Sequence, residues 1–148
     1  MSKTISYKGK INIGEQQQIR LKTNNGKTGY RITKFQVMST TPGVGDVEII
    51  GQIFNKDQTG SISATVDFSD SNLMAVSYYR EDPNNNSGIF QNFVIFDNTK
   101  TNQDIFITMT DAMGATVPGN YYIELEAMTL SDLETTMLTL QSLRTLSS

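Results

Sequence analysis

The chain has no cysteine, no histidine and no tryptophan among its 148 residues. Without Cys there is no disulfide, no thiolate nucleophile and no thiolate metal site. Without His, the usual general base and the imidazole metal ligand are missing together. A Ser–His–Asp or Cys–His arrangement is therefore impossible. No apolar run approaches the roughly 20 residues of a membrane-spanning helix. The opening residues, MSKTISYKGK, hold no apolar stretch of the kind a secretory signal needs, so the expectation is folding in a cytoplasm without membrane contact. Charge is also sparse, at 18% of residues.

What fills the place of charge is uncharged polarity. Asn, Gln, Thr and Ser together supply 52 of the 148 residues. Such a surface suits β-structure and polar, wet contacts between subunits. Apolar alternation runs through most of the chain, which excludes a disordered polymer. The length fits one domain, or one domain with a terminal appendage, and is enough to bury roughly 70% of the unfolded surface.

The alternation has period two. In NYYIELEAM (120–128), Tyr121, Ile123, Leu125 and Ala127 share one face, and Tyr122, Glu124, Glu126 and Met128 the other. Further strands are expected at TISYK (4–8), QIRLK (18–22), YRITKFQVM (30–38), VEIIGQIF (47–54), SISATVDF (61–68), LMAVSYY (73–79), IFQNFVIF (89–96) and DIFITMT (104–110). The parity breaks near Lys34, which predicts a bulge there, and Gly51 inside a strand pattern predicts a second kink. Asn25 and Gly26 form the strongest short hairpin signal. Loops are expected at 41–46, 57–60, 82–88 and 117–120. About eight to nine such strands predict an all-β fold, a β-sandwich or jelly roll spanning 1–130.

The pattern changes in LSDLETTMLTLQSL (130–143), the only helix signal. Ser131 and Glu134 have capping-box spacing, and Asp132 and Glu134 suit the positive end of a helix dipole. Leu133, Met137 and Leu140 follow at i, i+4 and i+7, one helical face, with Leu138, Leu143 and Leu146 widening the apolar surface. A C-terminal helix over 131–148 is expected to pack its regular face on the sandwich. Its second flank (Leu138, Leu143, Leu146) is then free for a neighbouring subunit.

Few constellations could carry chemistry. GVGDVE (43–48) lacks the third glycine and the βαβ setting of a dinucleotide loop. Glu124 with Glu126, and Asp67 with Asp70, are the carboxylate pairs open to acid–base work, which needs separations of about 5–9.5 Å. A row of Glu on the outer side of a strand is the ordinary alternative. The DFSDSN segment (67–72) and Asp46 offer oxygen ligands but match no EF-hand spacing, and read better as Asx turns. The NNS triplet at 85–87 matches a glycosylation sequon by chance. No catalytic residue, cofactor or metal is assigned, and the chain is read as a non-enzyme.

Charge layout says more. Residues 1–34 carry eight basic groups against Glu15 alone, while the remainder carries four basic and 14 acidic groups. The acidic total (pI near 4.8) and the lack of interleaved aromatic platforms argue against nucleic acid as the main partner. Pairing of oppositely charged strands within the domain is the first explanation. Complementary contacts between copies are the second, with Lys3, Lys8 and Lys10 reaching a neighbour's acidic surface.

The two ends of the chain, MSKTISYKGKINIGEQQQIRLKTNNGKTGYRITKFQVMSTTPG and NQDIFITMTDAMGATVPGNYYIELEAMTLSDLETTMLTLQSLRT, resemble small structural proteins of marine tailed bacteriophages. The resemblance spans nearly the whole chain, apart from EDPNNNSG (81–88), and carries over no functional residue. It implies a virion protein, used in many copies and assembled in the bacterial host cytoplasm. Its partners would be itself, as a homo-oligomer, and other virion proteins. A capsid shell, decoration or cement role is preferred to a tail tube, connector or adaptor role. The alternative from another class is a carbohydrate-binding or adhesin-like module, in which Tyr78, Tyr79, Phe90 and Phe93 around the Asn-rich loop stack on sugar rings.

Overall fold

The computed structural model describes residues 2–83, 89–96 and 99–147, with side chains as far as 143. Among them, eight strands and one helix follow in chain order: β1 (Lys3–Ile11), β2 (Glu15–Ile19), β3 (Thr28–Ser39), β4 (Val47–Phe54), β5 (Leu73–Glu81), β6 (Ile89–Ile95), β7 (Ile105–Asp111), β8 (Gly119–Thr129) and α1 (Asp132–Ser147). They form a three-stranded sheet, β1-β8-β3, and a five-stranded sheet, β2-β7-β4-β5-β6. Every pairing is antiparallel. The expected all-β sandwich with a C-terminal helix is therefore what forms, although sheets of three and five strands do not single out a jelly roll.

Period-two alternation explains the core. Register aligns Ile5, Leu125 and Ile32 across the smaller sheet, then Tyr7, Ile123 and Phe35 one step along. These inward rows meet Ile49, Ile53, Ile105, Ile107 and Met109 from the larger sheet, all fully buried. The expected bulge is present, as a register shift between Ile32 and Lys34. It keeps Phe35 and Val37 facing inward after the parity break.

Gly51 has a different role from the kink read in the sequence. No shift occurs there; the irregularity in β4 falls between Ile53 and Phe54. Instead, Gly51 is a point of close approach between the sheets. A Cβ placed on it would lie 2.7 Å from Val37 Cγ1 and 2.9 Å from Phe35 Cζ. Those two side chains cross from the opposite sheet into the space a side chain would fill.

Three other expectations are corrected. QIRLK does not continue as a strand, because β2 ends at Ile19. Past that point the amides of Leu21 and Lys22 donate to Asp104 Oδ1, at 2.8 and 2.9 Å, and Gln18 Nε2 donates to Oδ2 at 2.7 Å. Burial alone would raise the Asp104 carboxyl, but these donors outweigh it and hold it below the usual carboxylate range. The turn with Gly26 at φ 66° is real. It joins no hairpin, since β2 and β3 lie in different sheets. Finally, SISATVDF forms no strand. It belongs to a long β4–β5 excursion that lies across the outer face of the larger sheet, where no backbone edge is available to pair with it. The tip of the 82–88 loop and the 85–87 sequon lie outside the described residues.

The helix starts as its sequence requires. Glu134 N donates to Ser131 Oγ at 3.1 Å, and Ser131 N donates back to Glu134 Oε1 at 3.3 Å. Just before it, Leu130 is buried against Gly29 and its amide bonds Lys27 O.

Candidate functional site

The helix sits on the body in the reverse sense to that read from its periodicity. Leu133, Met137 and Leu140, the regular apolar face, point away from the body and are 69%, 54% and 53% exposed. The opposite side touches it. Thr139 Oγ1 accepts from Asn102 Nδ2 at 3.1 Å, and Glu134 pairs with Lys100 at 3.3 Å. Leu138, expected on a free flank, is half-buried over a narrow crevice with Asn55, Lys100 and Thr101. Leu143 is 58% exposed, and the Leu146 side chain lies outside the described residues. The physical reason is that α1 rests on polar connections, namely the Gly26 turn and the 100–103 strap. Asn102, fully buried, donates to both Gly26 O and Thr139 Oγ1 and accepts from Gln103 Nε2. Thr139 gives Asn102 an acceptor there; a leucine at that position would leave the buried carboxamide donor unpaired.

A second apolar surface comes from unequal sheet width. Among the described residues, β6 is one edge of the larger sheet and β2 the other. The inward side of β6 is covered by the smaller sheet only in part: Gln91 donates to Val37 O at 3.4 Å and Ile95 joins the core. Ile89, Phe90 and Phe93 remain 57%, 58% and 50% exposed, and Val94 38%. In sequence, IFQNFVIF is apolar on both parities, which ordinarily marks a strand buried on both faces. Here both faces are exposed. Tyr78 packs edge-on to Phe90, at 5.9 Å between ring centres.

Within the basic segment, Lys27 pairs with Asp132 of α1 at 3.9 Å, and two further sets matter here. Arg31 and Lys34 pair with Glu126 and Glu124 across β3 and β8, at 3.3 and 3.8 Å. The carboxylate pair considered for acid–base work is thus held in cross-strand ion pairs. Lys3, Lys8 and Lys10 are all exposed; Lys8 and Lys10 project from the outer side of β1, whereas Lys3 has the inward parity of Ile5 and Tyr7 at the open end of the strand, opposite Ala127. Lys8 and Lys10 flank an open, shallow depression with Asn120 and Tyr122.

Tyr79 cannot stack on a sugar. It faces the core at 1% exposure, and its hydroxyl donates to Glu81 Oε2 at 3.0 Å. Burial, reinforced by the Glu81 carboxylate, pushes the phenol up to about 12. Glu81 also accepts from Gly43 N, and Arg80 bridges toward Glu48 and Asp82. The Asp46 carboxyl is raised, chiefly by its hydrogen bond with Asp82. This polar group closes one end of the sandwich.

The sequence reading missed a polar cavity on the outer face of the larger sheet. Strand parity turns Gln16, Gln52 and Thr108 outward in one row across β2, β7 and β4. Gln16 holds the excursion by donating to Asp57 Oδ1 and accepting from Gln58 N, at 2.9 and 2.6 Å. Gln52 donates to the carbonyls of Ser63 and Thr65, at 3.3 and 3.2 Å. Between these anchors is a cavity of about 340 Å³ lined by Gln52, Phe54, Ser61, Ile62, Thr65 and Thr108, among others. Asp67 and Asp70 stand at it as well, each using Oδ1 in an Asx turn, with Ser69 N and Asn72 N respectively. The sequence reading had singled out Asp67 and Asp70 as a carboxylate pair, but nothing local brings them to Gln52 and Thr108, because the excursion that does so carries no strand partner of its own.

Comparison with known families finds no model that matches this chain, and no curated protein is similar enough in sequence to count as a match.

Proposed function

We propose that this chain is a non-enzymatic structural subunit that works by self-association and docking on a particle lattice, as a capsid shell or decoration protein of a phage virion does. One observation carries the reading. β6 is an edge strand whose apolar side chains are exposed on both faces. Such an edge presents a row of unpaired backbone groups, and proteins that function alone blunt it with charge, proline or a covering element. β6 has no charged residue and no proline. Its natural occupant is β6 of a second copy, which would extend the five-stranded sheet across a two-fold axis and bury Phe90 and Phe93.

The helix supports a lattice rather than a simple dimer. A closed pair needs one self-complementary patch, whereas an extended array needs at least two contacts per copy. The outward Leu133, Met137 and Leu140 provide the second. Modest contacts repeated over many copies then add up to high avidity. The virion setting itself comes from the resemblance of the chain's two ends.

Sedimentation velocity of the full chain across a concentration series tests this. Concentration-dependent association is expected, and Phe90→Lys with Phe93→Lys should remove the β6 contact and cut association to the weak remainder that the helix face supports, without changing the circular dichroism. Wild-type protein that stays monomeric at its highest soluble concentration would refute the reading.

A further inference from the structure

The cavity beneath the β4–β5 excursion combines size, polarity and an unsatisfied group in a way the assembly reading does not use. Its volume of about 340 Å³ is at the lower end of ligand pockets, which begin near 300 Å³. A single water occupies roughly 30 Å³ in the liquid, so the space takes a molecule of one sugar ring. Thr108 forms part of the wall at 1% exposure, and its Oγ1 has no hydrogen-bond partner. A buried hydroxyl without a partner is unfavourable, and a bound ligand would relieve that.

The lining selects the ligand's chemistry. It includes no lysine or arginine, which disfavours phosphate, sulfate and carboxylate ligands. Both donors of Gln52 are committed to the excursion backbone, leaving Oε1 to accept. Asp67 and Asp70 each keep Oδ2 after their own turns are satisfied. Ser61, whose proton goes to Gln58 O, adds an acceptor, and the Ser63 and Thr65 hydroxyls can donate. The site therefore presents more acceptors than donors, and a ligand must bring several O–H groups. Phe54 and Ile62 give an apolar strip suited to the C–H face of a ring. A metal ion would also satisfy acceptors, but among the described residues no three acidic side chains converge closely enough to hold one.

We propose that this cavity binds an uncharged polyhydroxylated ligand the size of one pyranose, with Gln52, Thr108, Asp67 and Asp70 as its polar contacts and Phe54 as its apolar floor. The proposal is independent of self-association, because the cavity lies on the excursion and not on β6 or α1. The source of the sugar is either a free monosaccharide or the last residue of a glycan chain.

The test is an amide chemical-shift titration of the full chain with glucose, galactose, mannose and N-acetylglucosamine. Each sugar is used free and as its methyl glycoside, and calcium chloride is titrated separately. The titration uses the Phe90→Lys, Phe93→Lys protein, so that association does not broaden the spectrum. Saturable shifts at Gln52, Thr108 and 61–65 are expected with at least one sugar. A response to the methyl glycoside identifies a glycan terminus, and a response to the free sugar alone identifies a monosaccharide pocket. Thr108→Val should weaken binding about tenfold, the loss of roughly one hydrogen bond to a neutral group. Ile62→Trp, at a half-buried position outside both core clusters, should abolish it by filling the space, with an unchanged circular dichroism spectrum as the check on folding. No saturable shift with any sugar, shifts that survive Ile62→Trp, or saturable shifts with calcium alone would each overturn the proposal.

Discussion

Replacing Asn102 tests how α1 is held. Its carboxamide is fully buried and makes three hydrogen bonds, to Gly26 O at 3.0 Å, Thr139 Oγ1 at 3.1 Å and from Gln103 Nε2 at 3.0 Å. Each such bond contributes roughly 0.5–1.5 kcal/mol net. Gly26 is itself half-exposed, so water can recover part of the loss at its carbonyl. Asn102→Ala should therefore cost about 2–3 kcal/mol. In urea unfolding this lowers the midpoint while leaving the slope unchanged. Hydrogen exchange of the α1 amides should accelerate more than that of β4 or β7, since the helix has few other anchors. Asn102→Asp separates hydrogen bonding from volume: it keeps the shape and removes both donors. At neutral pH it should be at least as damaging as the alanine variant, and acid should restore part of the loss by protonating the new carboxyl. If Asn102→Ala costs under about 0.5 kcal/mol, or Asn102→Asp equals wild type, the strap is not what fastens the helix.

Two further outcomes follow from the core. Gly51→Ala should destabilise by about 1–3 kcal/mol through overpacking against Val37 and Phe35; adding Val37→Ala should restore part of it in a double-mutant cycle, and simple additivity would show that the clash is elsewhere. Tyr79 should ionise only near pH 12 in the folded chain, against 10.0 unfolded. Because the native state holds the proton more tightly, the stability from this group is complete below pH 10 and declines as pH rises toward 12. Ultraviolet phenolate titration beside alkaline unfolding checks it, and a Tyr79→Phe protein with the same alkaline profile would refute it.

The asymmetry of the sandwich links these features to function. A three-stranded sheet cannot cover a five-stranded one, so one side of the molecule ends in a strand that is half-clothed. The outer face of the larger sheet would be open too, but the excursion covers it, and two glutamines fix it in place. One uncovered surface is therefore apolar and linear, suited to another copy, and the covered one retains a polar hollow suited to a small molecule.

How much of this was legible follows from which forces are local. Strand alternation recorded inward and outward faces, so every proposed strand segment except 61–68 overlaps a real one, QIRLK only at its first two residues, and Lys34 marked its bulge. Ser131 and Glu134 fixed the helix start because both partners of a capping box lie within one turn. The alternation in 61–68 misled because a segment lying flat on a sheet has the same parity as a strand within it. The ladder partner, which distinguishes the two, is not written in the segment itself.

The amino-acid sequence by itself determined the all-β class, the parity of each strand, the capped helix and the exclusion of cysteine and histidine chemistry, because these depend on residue type and near-neighbour spacing. Only the tertiary structure decided that Leu133, Met137 and Leu140 face outward, that β6 is an edge, and that Gln52 and Thr108 wall a cavity. Those outcomes depend on which distant surfaces remain uncovered once the sheets have paired. Helical periodicity gave α1 its apolar stripe, and the polar strap beneath it determined which way that stripe would turn.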